Sequence, residues 1–246
     1  MNRSGLVSIS FRALLPEEIV KISKDAGLAF IEWGSDVHAK PSDRERLSYI
    51  KRLTEDAGLK ISSYGSYFKL TENDLAELPS YIDAAKVLGT GIIRIWCGNK
   101  NYTDMTEEER EALIEEARRA AKIAEDAGVK LCMECHNNTF TNCLEGAIRL
   151  MESVNSPAFR MYWQPNQFRT FQENCLYAEK MAKYTEVIHV FNWEGREMYP
   201  LSDGIEVWKK YLSYFDENIP LLLEFMPDNL PETLPREAEA LFKIIR

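Results

Sequence analysis

Two glutamates in apolar surroundings are the residues best suited to do chemistry. Glu134 lies in the segment LCMECH (131–136), and Glu224 lies in LLLEFM (221–226). A carboxylate inside an apolar strand is costly unless it is paired, protonated or bound to a metal ion. Hydrogen bonding to Arg94 or to a tryptophan N–H is a purely structural alternative, which explains one such glutamate more easily than two. We therefore predict that Glu134 and Glu224 share one catalytic site.

Other residues with chemical potential collect at the ends of predicted strands. All three histidines and four of the five tryptophans occupy such positions, and only Trp208 falls on a predicted helix. Residues that ligate metals, transfer protons or stack on sugars are therefore concentrated at one end, which packing alone does not easily explain. The strand-end residues are Arg12, Glu32, Trp33, Asp36, His38, Tyr64, Arg94, Trp96, Glu134, His136, Asn137, Trp163, Gln164, Asn166, His189, Asn192, Trp193 and Glu224.

The elements that must position these residues alternate between short apolar strands and amphipathic helices. Predicted strands cover residues 6–11, 28–33, 60–64, 92–96, 130–135, 159–163, 187–191 and 220–225. Helices follow each strand, two of them opened by capping boxes, Ser42 with Glu45 and Thr106 with Glu109. Eight units of about 30 residues predict an α/β fold, a closed (β/α)8 barrel forming a single domain over 1–246. The missing GxGxxG after the first strand argues against a doubly wound sheet.

Length and composition indicate one ordinary globular domain. The chain has 246 residues, 45% hydrophobic and 28% charged, with a formal net charge of −9. That charge argues against a nucleic-acid partner. The N-terminus, MNRSG, has no apolar signal segment, and no apolar run reaches the roughly 18 residues that span a bilayer. We therefore expect a cytoplasmic protein without a membrane partner, its five cysteines reduced. Cys132 and Cys135 are predicted to point to opposite strand faces, against a redox or zinc motif.

The chain resembles the sugar phosphate isomerase/epimerase group of xylose isomerase-like TIM barrels. The matching segments are GLAFIEW at 27–33, MECH at 133–136, VIHVFN at 187–192 and LEF at 223–225. The superfamily also includes hydroxypyruvate isomerases, tagatose epimerases, dehydroshikimate dehydratases and barrel-type apurinic endonucleases. The resemblance implies a (β/α)8 TIM barrel of carbohydrate metabolism that acts on a small sugar, sugar phosphate or polyol.

The resemblance also implies a divalent metal ion (Mg, Mn, Co or Zn) held by strands five to eight. Glu134 and Glu224 occupy the places of the family's two glutamate ligands. Gln164 stands where the family has an aspartate, and Phe191 stands at the usual strand-seven ligand position. His189 shares a strand face with Phe191 one layer deeper. The predicted ligand set is therefore Glu134, Gln164, His189 and Glu224, and the two substitutions leave a site without metal as an open alternative.

By this resemblance, the two glutamates remove and return the proton beside a carbonyl in an isomerisation or epimerisation. The predicted substrate-binding residues are Arg12, Trp33, His38, Arg94, His136, Trp163 and Asn192. Trp96 and Trp193 are further candidates for stacking on a sugar ring, and His136 is a further candidate ligand.

Two alternatives to this function stay open. One is a lyase or dehydratase on the same scaffold, and another is a non-catalytic sugar- or metabolite-binding barrel with a degraded metal site. A homo-oligomer is also open. An endonuclease is disfavoured, because three histidines and a −9 charge do not supply the ligands of a three-metal centre.

Overall fold

Eight parallel strands close into a barrel in the computed structural model, which describes residues 2–245. The last strand pairs with the first and with the seventh, so the sheet has no free edge. This confirms the predicted fold. The strands are β1 (Ser4–Val7), β2 (Phe30–Gly34), β3 (Lys60–Leu70), β4 (Ile92–Cys97), β5 (Lys130–Glu134), β6 (Phe159–Trp163), β7 (Thr185–Val190) and β8 (Leu221–Leu223).

A ring of helices surrounds the strands. Each covers the barrel with an apolar face, and the main core lies between helices and strands. Within residues 2–245, no helix is both long and apolar enough to cross a membrane. The helices are α1 (Pro16–Asp25), α2 (Arg44–Asp56), α3 (Leu78–Leu88), α4 (Glu107–Ala127), α5 (Leu144–Val154), α6 (Phe171–Met181), α7 (Ile205–Leu212) and α8 (Leu234–Ile245).

The two predicted capping boxes have different outcomes. Thr106 accepts a hydrogen bond from the backbone N–H of Glu109, whose carboxylate accepts from Thr106 in return, so α4 begins as predicted. The prediction for α2 was wrong by one residue. Asp43, not Ser42, caps this helix, because its carboxylate accepts from the backbone N–H of Arg46 at 3.0 Å.

The first strand is shorter than predicted and shifted toward the N-terminus. After Val7 the chain enters a 3-10 helix, Ser8–Phe11. In this segment, backbone N–H groups of neighbouring segments donate to serine hydroxyls. In a continued strand they would donate to backbone carbonyl oxygens. Ser8 Oγ accepts from the N–H of Gly34 at 3.0 Å, and Ser10 Oγ accepts from the N–H of Phe225 at 2.9 Å. The predicted strand 6–11 was therefore wrong from residue 8 onward.

The third strand, by contrast, continues six residues past its predicted end at Tyr64. Its pairing with β4 is interrupted between Gly65 and Lys69, a bulge that bends the strand over the barrel mouth. Tyr67 is thereby brought to the carboxyl end of the barrel. A short antiparallel hairpin, Trp193–Glu194 with Glu197–Met198, follows β7 and was not predicted.

A small second core fills the barrel interior below the mouth. It includes Val7, Cys132, Tyr162, Val187 and Leu222, all fully buried. These side chains come from alternate positions on their strands, so the next inward residues on β5, β7 and β8 lie one layer higher. That layer carries the polar residues of the barrel mouth.

Candidate active site

A cavity of about 280 Å³ opens at the carboxyl ends of the strands. Its polar lining includes Glu134, Glu224, Arg94 and Gln164, and aromatic and amide side chains form most of the rest of its wall. Active sites of (β/α)8 barrels are formed at this end, where residues from several strands meet. Both predicted catalytic glutamates therefore line one solvent-accessible hollow.

Glu134 is held by two donors on one of its oxygens. Its Oε2 accepts from Arg94 Nη1 at 2.5 Å and from the indole N–H of Trp96. The structural alternative for this glutamate, hydrogen bonding to Arg94 and a tryptophan N–H, is thus present. It involves only one of the two carboxylate oxygens. Burial alone raises the pKa of Glu134, and the charges of Arg94 and His189 outweigh burial and hold it below its ordinary value. Glu134 is therefore a fixed, ionised carboxylate.

His189 lies between the two glutamates. Its Nδ1 is 3.2 Å from Gln164 Oε1, 3.4 Å from Glu224 Oε2 and 3.9 Å from Glu134 Oε1. Burial opposes a charge on the ring, but Glu224 and Glu32 outweigh it and raise the pKa of His189 to about 10. The imidazole is therefore protonated at neutral pH when nothing else supplies positive charge at Nδ1.

A third glutamate, Glu32, lies beneath His189 and is fully buried. Its Oε2 accepts from Ser63 Oγ at 3.0 Å and from the Tyr162 hydroxyl at 2.9 Å, and His189 Nε2 lies 3.3 Å away. Arg94 Nε makes an ionic contact with Oε1 at 3.3 Å, outside hydrogen-bond geometry. Burial raises the pKa of Glu32, but His189 and Arg94 outweigh it and lower the pKa to about 2.

Sequence reasoning placed Glu32 at the end of β2 but did not include it among the site residues. Its neighbour Trp33 was chosen instead. The alternation of side chains along a strand could have identified Glu32 as a site residue, since only one of two adjacent residues can face the barrel interior. An acid next to an aromatic residue is the better candidate for the polar layer.

The donor set fits a divalent cation. Glu134, His189 and Glu224 offer ligand atoms that all lie within 4.8 Å of one another, and Gln164 Oε1 is beside His189 Nδ1. Carboxylate oxygen, imidazole nitrogen and amide oxygen are ordinary ligands of such ions. With His189 neutral, the three buried carboxylates and the guanidinium of Arg94 leave two uncompensated negative charges, which one divalent ion balances.

Aromatic rings line opposite sides of the cavity. Trp96 on β4 stacks on His136, with ring centroids 4.8 Å apart and planes 14° apart. Across the barrel, the ring centroid of Trp193 lies 5.1 Å from that of Phe191 and 5.8 Å from that of Phe225. Flat apolar faces above a polar floor suit a ligand with C–H faces and polar edges, such as a sugar.

Phe225, directly after Glu224, has a left-handed backbone with φ of 56°. A bulky residue rarely adopts this conformation, which costs on the order of 1–3 kcal/mol and is concentrated at functional sites. The kink ends β8 at the cavity, and Phe225 presents its ring to the lining. The strain lies at the residue that follows a predicted catalytic group.

Arg12 lies at the rim of the cavity, with its side chain 44% exposed. Its guanidinium pairs with Asp36 and donates to the hydroxyl of Tyr67. His136 also lines the cavity, and its Nδ1 is 2.7 Å from the carbonyl oxygen of Asn137. Arg12, Arg94 and His136 are thus the predicted substrate-binding residues that the structure brings to the cavity. Tyr67 was missed because β3 was predicted to end before it.

Two predicted substrate-binding tryptophans lie away from the cavity. Trp33 is fully buried on the outer face of β2 and donates to Thr54 Oγ1 of α2 at 3.2 Å. Trp163 is fully buried against Trp208 and Tyr211 of α7. Each follows an inward residue on its strand, Glu32 or Tyr162, and therefore points to the helices. We retain neither as a substrate contact.

His38 and Asn192 are also outside the cavity lining. The two ring nitrogens of His38 contact Ser8 Oγ and the carbonyl oxygen of Leu14, each at 3.1 Å. Asn192 donates to the carbonyl oxygen of Pro200 at 2.9 Å and faces a separate hollow beside α7. His38 and the amide nitrogen of Asn192 thus hold loops together outside the cavity, and we retain neither residue as a substrate contact.

Comparisons with known proteins agree with this architecture. A family model described as xylose isomerase-like TIM barrel matches residues 20–244. The 3-dehydroshikimate dehydratase of Bacillus anthracis is 24% identical over 168 residues, which cover 64% of this chain and 59% of that protein. The sequence match thus spans less than two thirds of that relative.

Solved structures share the fold at low sequence identity. The probable 3-DHS dehydratase AsbF of Bacillus anthracis, involved in petrobactin synthesis, has a TM-score of 0.83 at 18% identity, covering 98% of this chain and 99% of that one. A xylose isomerase-like TIM barrel protein of Mycobacterium smegmatis in complex with magnesium has a TM-score of 0.70 at 16% identity, covering 96% and 90%. An L-ribulose 3-epimerase has a TM-score of 0.67 at 18% identity, covering 97% and 86%. With the family model matching nearly the whole chain, the protein belongs to the xylose isomerase-like TIM barrel family.

Proposed function

We propose that this protein is an enzyme that moves a proton on the carbon beside a carbonyl group of a small polyhydroxylated substrate. The first candidate is a sugar or sugar phosphate isomerase or epimerase. One observation carries the proposal: Glu134, His189 and Glu224 converge at the barrel mouth with ligand atoms within 4.8 Å of one another. Such a cluster combines carboxylate bases with a site for positive charge.

Glu224 is the better proton acceptor of the two cavity glutamates. Within residues 2–245, no arginine or lysine pairs with it, and its closest charged contact is His189 Nδ1 at 3.4 Å. Glu134, by contrast, has Arg94 and Trp96 on one oxygen, which lowers its basicity. Glu224 therefore removes the proton and, once protonated, returns it to the substrate, at the neighbouring carbon in an isomerisation. The free oxygen of the ionised Glu134 serves as a ligand.

Glu134, Gln164, His189 and Glu224 are the residues that would hold a divalent metal ion. When bound, such an ion polarises the substrate carbonyl and offsets the charge that develops on its oxygen. The charge balance of the cluster supports an ion of charge +2, as does the magnesium-containing protein of similar fold. The aromatic walls orient the substrate ring and exclude water from the reacting carbon.

A dehydratase is the second candidate. Its support is the likeness along nearly the full chain to a probable 3-DHS dehydratase, together with the sequence match to a 3-dehydroshikimate dehydratase. Both reactions begin with the same proton abstraction. In elimination, the electrons of the broken C–H bond expel a hydroxyl group from the adjacent carbon, and that hydroxyl takes the proton held by Glu224 and leaves as water.

Proton exchange and product mass separate these candidates. The purified protein, supplied with Mn²⁺ or Mg²⁺, is incubated in D2O with a panel of ketoses, aldoses, their phosphates and 3-dehydroshikimate. Isomerisation or epimerisation gives a product of unchanged composition that carries deuterium at the exchanged carbon. Elimination gives a product lighter by one water. Ligand-induced thermal stabilisation without exchange or product across the panel would contradict both and favour a binding protein.

A further inference from the structure

A layer of buried charge lies directly beneath the cavity. Glu32, on β2, occupies its centre, between His189 on one side and Arg94 on the other. Arg94 also donates to Glu134. Glu32 therefore contacts one proposed metal ligand, His189, directly and is linked to another, Glu134, through Arg94. None of the steps proposed above uses Glu32. A fully buried carboxylate that binds no substrate needs another explanation for its cost.

Gly65 reserves the space that Glu32 occupies. A Cβ atom at residue 65 would lie 2.5 Å from Glu32 Oε1 and 3.2 Å from Arg94 Nη2. Gly65 has no positive φ, so its backbone does not itself require glycine. The missing side chain at this position instead permits the close approach of carboxylate and guanidinium.

Glu32 also determines which nitrogen of His189 faces the cavity. An ionised carboxylate can only accept hydrogen bonds, so the contact of 3.3 Å between Oε2 and Nε2 requires a hydrogen on Nε2. Nδ1 is then the nitrogen that faces Gln164, Glu134 and Glu224. Ser63 and Tyr162 donate to the same oxygen and fix its position.

We propose that Glu32 is a positioning residue that holds the Nε2–H of His189, so that Nδ1 is aimed at a divalent ion in the cavity. This inference rests on the proposed metal-assisted function. Histidine ligands commonly donate their second N–H to a carboxylate, which fixes the ring and makes the ligating nitrogen more basic. Glu32 therefore contributes to ion binding without touching the ion or the substrate.

Isothermal titration with Mn²⁺ alone tests the proposal without any substrate. Glu32→Gln has nearly the same shape but a weaker acceptor, and we expect its Mn²⁺ affinity to fall by about 10- to 100-fold. Glu237→Gln is the control, because it alters another buried glutamate, one that accepts from the backbone N–H of Leu201 outside the cavity, and we expect an affinity within about threefold of the wild type. Urea unfolding of each variant verifies that the fold persists.

Glu32→Asp separates positioning from charge. Aspartate keeps the negative charge but withdraws it from Nε2 by one methylene. If Glu32 acts by position, the aspartate variant loses affinity about as much as the glutamine variant does. An aspartate variant with wild-type affinity, beside a weakened glutamine variant, would show that only charge matters and would overturn the proposal.

Two further results would also overturn it. One is a Glu32→Gln protein that binds Mn²⁺ as tightly as the wild type, which would leave the proposed function standing if proton exchange is observed. The other is a wild-type protein that binds no Mn²⁺ at all. In that case proton exchange by the metal-free enzyme would still support the proposed enzymatic role of the glutamates.

Discussion

At the scale of single residues, the two cavity glutamates have unequal surroundings. Glu134 is fixed by Arg94 and Trp96, whereas His189 is the one basic side chain within residues 2–245 that pairs with Glu224. A carboxylate with strong donors is a poor base but a well-oriented ligand. On this inequality rests our proposal that Glu224 abstracts the proton and that Glu134 orients the site, a division that the sequence alone did not predict.

Glu224→Gln is expected to abolish most of the catalytic activity. An amide cannot accept the substrate proton, so the rate of deuterium uptake should fall by about 10²- to 10⁴-fold. Glu237→Gln is the matched control, because Glu237 is also a buried glutamate but accepts a backbone N–H from Leu201, outside the cavity. This control should keep wild-type activity. Equal losses in the two variants would contradict the assignment of Glu224.

Affinity for a divalent ion should rise with pH. The pKa of His189 is raised to about 10, so below that pH the ring carries a proton that an ion at Nδ1 must displace. One released proton per ion predicts an affinity gain of about tenfold per pH unit between about pH 6 and pH 8. Calorimetry in buffers of different ionisation enthalpy counts that proton. An affinity that is flat over this range would exclude Nδ1 of His189 as a ligand.

At the scale of elements, the alternation of strands and helices was predictable and the exact strand ends were not. Apolar runs spaced by about 30 residues identified all eight strands, because burial of each strand is dictated by its own sequence. The ends of β1 and β3 depend on partners far along the chain. Ser8 and Ser10 accept hydrogen bonds from Gly34 and Phe225, contacts that no local pattern reveals.

The inward or outward direction of each strand-end residue caused the other errors in the site. Glu134, His189 and Glu224 do face the barrel interior, where their ligand atoms meet. An acid or a histidine within an apolar strand is costly to bury, and for that reason these residues stood out in the sequence. Trp33 and Trp163 were chosen by residue type alone. Their strands present the adjacent residue to the interior, so these indoles pack under helices α2 and α7.

Close packing of β1 against its neighbours gives a test of the barrel itself. A Cβ at Gly5 would lie 2.5 Å from a side-chain atom of Leu222 and 2.7 Å from the carbonyl oxygen of Phe30. Gly5→Ala should therefore lower the free energy of unfolding by about 1–3 kcal/mol, measured by urea denaturation. Gly91→Ala, where a Cβ meets no atom within 4 Å, should change it by no more than about 0.5 kcal/mol. A Gly5→Ala protein as stable as Gly91→Ala would contradict this packing of β1.

At the scale of the whole molecule, closure of the barrel brings distant segments to one point. Residues 32, 94, 134 and 189 lie on four strands and residue 224 directly follows β8, and their side chains form one connected network of charges. A probable 3-DHS dehydratase and an L-ribulose 3-epimerase both share this fold, so the fold alone does not determine the reaction. In our account, the common first step is set by this network, and the reaction that follows is set by the aromatic walls and the rim.

A crystal structure of the protein grown with Mn²⁺, with the ion located by its anomalous scattering, would test the proposed metal centre directly. We predict one Mn²⁺ in the cavity, coordinated by Glu134, His189 through Nδ1, and Glu224, with the amide oxygen of Gln164 alongside. Glu32 should remain on Nε2 of His189. Mn²⁺ found only at surface carboxylates, with the cavity residues unchanged and free of the ion, would contradict the proposed metal centre.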